Sequence, residues 1–494
     1  MNKKILIIGA ALIVFFGIIL AYGFKEKCPK PVDNIPGTST FRSDCDPANI
    51  NTTTQDNTLD LWVLYDNSKA FEQQIQAFQS NNPGVKVVVK KFTNLEEYED
   101  LVVNEIADGE GPDVFMIHNS WMKKHIGKLL PLPMDQTVVM TPDLFRSTFF
   151  QAASDDLIVD EKIYGMPMSI DNLAIFYNKQ QFADLLASTD QPAILWEGIK
   201  EQVTSGALTK RNNSLEGFAN AGIAMGRADN ISSAVDILYA LMLQYGVKFY
   251  DEGEENATFA TAQPGAGGVA NPGVEALKLF TEFGIQSYLH YSWNQNITGL
   301  VPEDKELGPF VRGKVSMIIG YPYMYENISA AIQAQQRLGN DHIDIDNVAI
   351  APFPQLINPD EATKRDTYAS YFPLVVARTS DKPALAWSLI QYLTSADALQ
   401  TYHKVTNRPT SRKDMVTEQQ IEPLFGTFAT QAPFAKSFKI YDDLAYRKVF
   451  SNAIQEVVKN TATPQEALTE AQSKITCILQ KQKKMIDQGF DCKI

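Results

Sequence analysis

The sequence predicts an α/β protein, and three observations carry that reading. From Thr58 onward, short apolar runs alternate with segments of helical periodicity, β-α-β-α-β, the pattern of a largely parallel sheet. The chain has 494 residues, more than one hydrophobic core ordinarily serves, so more than one domain is expected. The third observation is residues 109–121, GEGPDVFMIHNSW. Gly109, Gly111 and Pro112 break the preceding helix, residues 114–117 form an apolar run of strand length, and His118, Asn119, Ser120 and Trp121 follow directly. Ligands of open α/β sheets sit at the carboxyl ends of strands. An aromatic ring beside amide and hydroxyl groups at such a tip suits a polyhydroxylated ligand: the ring covers C–H faces and the polar groups bond the hydroxyls. The same residues also suit a capped turn with a tryptophan packed behind it.

Taken in order, Lys3 and Lys4 precede an uncharged run over residues 5–24, long enough to span a bilayer core of about 30 Å as a helix. Residues 1–27 are therefore read as a single-pass anchor in the cell membrane that leaves the rest of the chain extracellular. The competing reading is a signal peptide cleaved after Gly23, with Ala21 and Gly23 as the small residues. Cys28 follows Lys25, Glu26 and Lys27 rather than a small apolar triplet, which argues against a lipid-modified cysteine. Residues 28–57, rich in Pro, Asn, Thr, Ser and Asp, read as a tether.

The globular part begins near Thr58 with the strand TLDLWVLYD. Asp66, Asn67 and Ser68 then suit the cap of a helix over residues 69–80, whose Phe71, Ile75 and Phe78 share a face. Asn82-Pro83-Gly84 is a turn, residues 85–89 a second strand, 98–107 a helix and 114–117 the third strand. Further on, residues 173–177 and KVSMIIG read as strands. Residues 196–203, 231–245, 274–283 and 383–393 read as helices, and the region from Pro464 to about 486 as a polar amphipathic tail. The loop QPGAGGVANP lacks the lysine and hydroxyl residue of a phosphate loop and reads as a connection.

Charge narrows the partners. Lys and Arg number 44 against 58 Asp and Glu, a net charge of −14, which argues against nucleic acid and against adhesion to anionic lipid. The cysteines are Cys28, Cys45, Cys477 and Cys492; outside a reducing compartment they allow two disulfides in any of three connectivities. No cysteine–histidine cluster has zinc spacing, the five histidines are scattered, and neither GxSxG nor HExxH occurs. No metal or other cofactor is expected.

The chain resembles the extracellular solute-binding proteins of ABC importers, the family 1 group that includes maltose-binding proteins. The resemblance runs through LDLWVLYDNSKAFEQQIQAFQSNNPGVKVVV, GEGPDVFMIHNSW, YGMPMSIDNLAIFYNK, ILWEGIKEQV, GVEALKLFTEFG, FVRGKVSMIIGYPYMY, APFP, VARTSDKPALAWSLIQYLTS and NRPTSR, in that order. It implies a two-lobed periplasmic-binding-protein fold of type II, with the ligand in a cleft that closes by hinge motion. Lobe 1 would hold residues 58–166 and 372–407, lobe 2 residues 167–371 and 408–494. Hinges would fall near 167–170, 368–371 and 407–411. Ligand contacts would fall on Trp62, Asp66, Asn119, Ser120, Trp121, Asp171, Asn172, Tyr321, Tyr323 and Arg408. Trp62 equally suits a core position, Asp66 a helix cap, and the GYPY segment stands where the family often has Gly-Pro-Trp. The implied function is capture of a sugar or oligosaccharide for delivery to an ABC permease, without catalysis. A glycan-acting enzyme, a polyamine or peptide binder and a non-transport sensor are the alternatives.

Overall fold

The computed structural model describes residues 57–494 apart from 66–67, 134–139, 187–188, 205, 216, 299–303 and 358–365. The expected anchor, the tether up to residue 56, Cys28, Cys45 and Asp66 lie outside the described residues. Among the described residues no helix is long and apolar enough to cross a membrane.

In chain order, β1 (Thr58–Leu64), α1 (Ser68–Asn81), β2 (Lys86–Phe92), α2 (Leu95–Asp108), β3 (Val114–Met116) and β4 (Met166–Pro167) begin a first lobe. A second lobe follows with β5 (Ala174–Asn178), β6 (Lys210–Arg211), β7 (Phe218–Ile223), α3 (Ala234–Gln244), α4 (Pro272–Glu282), β8 (Val315–Gly320), α5 (Met324–Leu338) and β9 (Val348–Pro352). The chain returns to the first lobe for β10 (Pro373–Val376), α6 (Pro383–Leu393) and α7 (Ala396–Thr406). It ends on the second with α8 (Asp443–Val458) and α9 (Pro464–Gln482).

Each element follows from local chemistry. Leu59, Leu61 and Val63 of β1 are fully buried, as a strand crossing a core requires. In α8, Tyr446, Val449, Phe450, Ala453, Ile454 and Val457 recur at helical spacing and are buried, while Asp442 caps the helix by accepting from the Ala445 N–H. At the start of α9, Thr463 and Glu466 form a capping box, with Pro464 in the first turn. Cys477 of α9 is bonded to Cys492, fixing the C-terminal tail onto that helix.

The first sheet has the order β2-β1-β3-β10-β4. β1 is parallel to β2 and β3, with Leu61 opposite Val89 and Val114. β10 runs antiparallel to β3 and β4, so the sheet is mixed rather than purely parallel. The second sheet has the order β9-β5-β8-β7-β6; only β7 and β8 are parallel within it. Two separate apolar cores cover these sheets, one including Leu61, Phe115 and Trp387, the other Phe176, Ile318 and Phe450. The chain passes between the cores at 170–173 and at 368–369, and a third crossover, which includes Arg408 and Thr410, follows α7 on the way back to the second lobe. These crossovers pair with one another through isolated bridges, Asn172 with Ala369 and Ser169 with Thr410.

Candidate functional site

A cavity of about 710 Å³ opens between the two cores. Its first-lobe wall comes from strand tips: Tyr65 after β1, Lys91 near the end of β2, His118 after β3 and Phe372 before β10. Its second-lobe wall comes from helix starts: Ser232, Ser233 and Asp236 at α3, Tyr321 and Tyr323 between β8 and α5, and Arg447 in α8. Asp171, Ser370 and Arg408 enter from the crossovers.

The aromatic surface is split between the walls. Tyr321 and Tyr323 lie nearly parallel, ring centroids 6.0 Å apart and planes 24° apart. Tyr321 is buried and its hydroxyl donates to Asp236 Oδ2 at 3.0 Å; Tyr323 is 45% exposed and presents its ring to the cavity. Opposite, Tyr65 and His118 each meet Phe372 edge-on, at 6.2 and 4.9 Å. Tyr65 has a φ of 61°, a left-handed backbone that a non-glycine residue adopts only when its surroundings hold it.

The polar groups are paired. Arg408 Nη1 donates to Asp171 Oδ2 at 3.1 Å. Arg447 Nη1 meets Asp236 Oδ1 at 2.8 Å, and its Nε donates to Asp443 Oδ2 at 2.9 Å. Burial pushes the Asp443 carboxyl up, but Arg447, His118 and a hydrogen bond from Ser120 outweigh it and leave it below the usual range. Asp236 goes the other way: burial raises it against the pull of Arg447. His118 Nδ1 accepts from the Ser120 N–H at 3.3 Å and lies 2.5 Å from Ser120 Oγ, while its Nε2 is hydrogen-bonded to Ser370 Oγ at 2.8 Å. Burial lowers His118 to about 4, so the ring is neutral near pH 7.

The structure divides the expected contacts. Asp171, Tyr321, Tyr323 and Arg408 meet at the cavity. The remaining described ones do not line it. Trp62 is buried, 5.0 Å from Phe92, with Lys90 4.5 Å above its ring. Trp121 is buried beneath the 118–121 turn beside Tyr98 and His125. Asn119 donates to Asp156 and Ala369 O and accepts from the Tyr371 N–H, holding the turn to the crossover. Ser120 is engaged by His118, through both its hydroxyl and its backbone N–H. Asn172 donates to Ile170 O and Phe428 O and accepts from Gln431, which makes it a crossover brace.

The expected contacts omit His118, although it is noted at the tip of β3, and Tyr65, Asp236, Phe372 and Arg447 are not anticipated at all. Tyr65 and His118 were legible as the residues that leave β1 and β3. Arg447 reads as an ordinary surface charge of amphipathic α8, and its inward position is set by Asp236 and Asp443. Asp236 and Phe372 are placed by tertiary packing. Among the described residues, no cluster of His, Cys, Asp and Glu could hold a metal ion.

Two cores joined by paired crossovers, with a cavity between them lined from both sides, define a cleft-type binding protein. The bacterial extracellular solute-binding protein family matches residues 64–400, and the chain belongs to that family. A Brucella abortus (strain 2308) protein, named only as a binding protein, is 22% identical over 421 residues, 83% of this chain and 90% of its own. The maltodextrin-binding protein MdxE of Bacillus subtilis (strain 168) is 25% identical over 339 residues, 67% of each chain. Among solved structures, the sugar-binding protein MalE of Xanthomonas citri superposes with a TM-score of 0.67 at 18% identity, covering 88% of this chain and all of its own.

Proposed function

We propose that this protein is the saccharide-capturing component of an ABC importer. The observation that carries the reading is the tyrosine pair, Tyr321 and Tyr323, facing a cavity whose other lining is mostly hydrogen-bonding side chains, with Leu95, Phe372 and Val405 as its apolar part. An exposed tyrosine ring covers the C–H face of a pyranose, while paired arginines and carboxylates meet its hydroxyls with fixed geometry. The cavity, about 710 Å³, falls in the range of roughly 300–1,000 Å³ usual for small-molecule sites. The names of the Bacillus and Xanthomonas relatives support the same ligand class.

Ligand contact is assigned to Tyr323, Asp171, Arg408 and Arg447, with Tyr321 backing Tyr323. Both lobes supply contacts, so a ligand favours the closed arrangement by its differential affinity for it. The closed lobes would then offer an importer permease a surface that open lobes do not. The N-terminal anchor and tether would hold the domain at the outer face of the membrane.

The test is thermal unfolding of the full chain against neutral oligosaccharides, polyamines, amino acids and short peptides. A ligand at a hundredfold excess over its Kd stabilises the folded state by about 2.7 kcal/mol. A neutral oligosaccharide alone should raise the melting temperature. Stabilisation by polyamines or peptides alone would refute the saccharide assignment.

A further inference from the structure

We infer that the second-lobe wall of the cavity selects neutral over anionic saccharides, and that Arg447 is the residue that reads ligand hydroxyls there. The inference rests on the saccharide reading above and goes on to define which saccharides fit.

Arg447 is a cation whose charge is already matched. Its Nη1 is held by Asp236 at 2.8 Å and its Nε by Asp443 at 2.9 Å, two carboxylates around one guanidinium. The cluster therefore carries one net negative charge. Nη2 has no partner among the described residues, yet the side chain lines the cavity and is 29% exposed. What remains for a ligand is a pair of N–H donors in a rigid frame, suited to two neighbouring oxygens.

The nearest hydroxyl on this wall points away from the ligand and at the acids: the Tyr321 hydroxyl donates to Asp236 Oδ2 at 3.0 Å. A third carboxyl, Glu306, lies fully buried behind Ser232, accepting from its N–H and hydroxyl. Elsewhere the cavity's formal charges cancel. Arg408 is paired with Asp171, while Lys91 and Glu326 sit on opposite walls, one of each sign. His118 is neutral. A ligand carboxylate or phosphate at Nη2 would thus gain a hydrogen bond but face Asp236 and Asp443 across a few ångströms of low-dielectric space. A hydroxyl gains the same bonds without the repulsion.

The test is isothermal titration calorimetry of the full chain with maltotetraose, cellotetraose and mannotetraose, each paired with its C6-carboxylate form. The neutral member of the binding pair should bind at least roughly thirtyfold tighter than its carboxylate partner, the size expected of like charges held close. In Asp443→Asn, which keeps the side-chain shape and removes one negative charge, that ratio should fall by at least about fivefold through tighter binding of the carboxylate form. A merely structural role for Asp443 would weaken both partners alike. Arg447→Lys should weaken the neutral ligand by at least roughly tenfold, since lysine is a single point donor. Equal or tighter binding of the carboxylate form, or a ratio unchanged in Asp443→Asn, overturns this inference and leaves the saccharide reading standing. Failure of every neutral probe to bind overturns both.

Discussion

At the residue scale, Asp171 and Arg408 form the most consequential pair, because both side chains are withdrawn from water, 6% and 11% exposed. Removing one charge strands the other in a poorly solvated place. Arg408→Ala should therefore cost about 3–5 kcal/mol of stability, read by chemical denaturation. Trp121 makes a contrasting case. It is buried beneath the turn that follows β3, so Trp121→Ala should cost about 3–5 kcal/mol in packing. Ligand affinity of the folded chain should stay within about twofold of the parent, because truncation of a packed side chain outside the cleft changes stability rather than contacts. This is also where the sequence could be read only in part. The strand-tip rule brought attention to residues 118–121, and the cleft does lie there, at His118. Which side chain faces the ligand depends on how the turn sits against a crossover 250 residues away in sequence, through Asn119 and Ala369. No local pattern encodes that, so a buried tryptophan and an exposed Tyr323 looked alike.

At the element scale, the crossovers are braced by amides as well as by apolar packing, since Ile170, Leu173, Tyr368 and Ala369 are fully buried in the two cores. Asn172 bonds Ile170 O, Phe428 O and Gln431, and Gln431 in turn accepts from the Phe353 N–H. Gln419 does the same for the third crossover, accepting from the Thr410 N–H and donating to Arg408 O. Asn172→Ala leaves several buried partners unmet, at about 1–3 kcal/mol each. It should lower the melting temperature and, in small-angle scattering, broaden the distribution of interlobe distances. An unchanged scattering profile would show that Asn172 does not set the hinge. The secondary elements themselves were well encoded. The helices at 196–203 and 383–393 match their apolar spacing residue for residue. α8 has equally clear spacing and a good cap. The difference lies in tertiary placement: Arg447, an ordinary helix-surface charge by pattern, is turned inward by two carboxylates.

At the scale of the whole molecule, buried titratable groups set an acid limit. Burial lowers His118 and His403 each to about 4 from an ordinary 6.5, against a weaker upward pull, for His403, from the Met168 carbonyl. Between pH 6.5 and 4 the unfolded chain binds protons that the folded chain refuses, so stability falls as pH drops through that window. Asp156 opposes this. Burial raises it to about 6, so the folded state binds its proton first and gains stability as pH falls from 6 toward 3.8. Among these three groups the histidines outweigh the aspartate by on the order of 3 kcal/mol, since each tenfold change in proton affinity on folding is worth about 1.36 kcal/mol; Asp236 and Glu306, also raised by burial, offset part of that loss. Denaturant unfolding between pH 4.5 and 6.5 should show that loss. His403→Gln, which keeps a donor for Met168 O, should come close to flattening it.

The central claim is that a saccharide occupies the space between the lobes and is held from both sides. The most direct measurement is a crystal structure of the protein with whichever neutral oligosaccharide most raises its melting temperature. The expected result is a sugar ring stacked on Tyr323, with hydroxyls about 3 Å from Asp171, Arg408 and Arg447 Nη2. A saccharide bound away from this cavity, or touching one lobe alone, would contradict it.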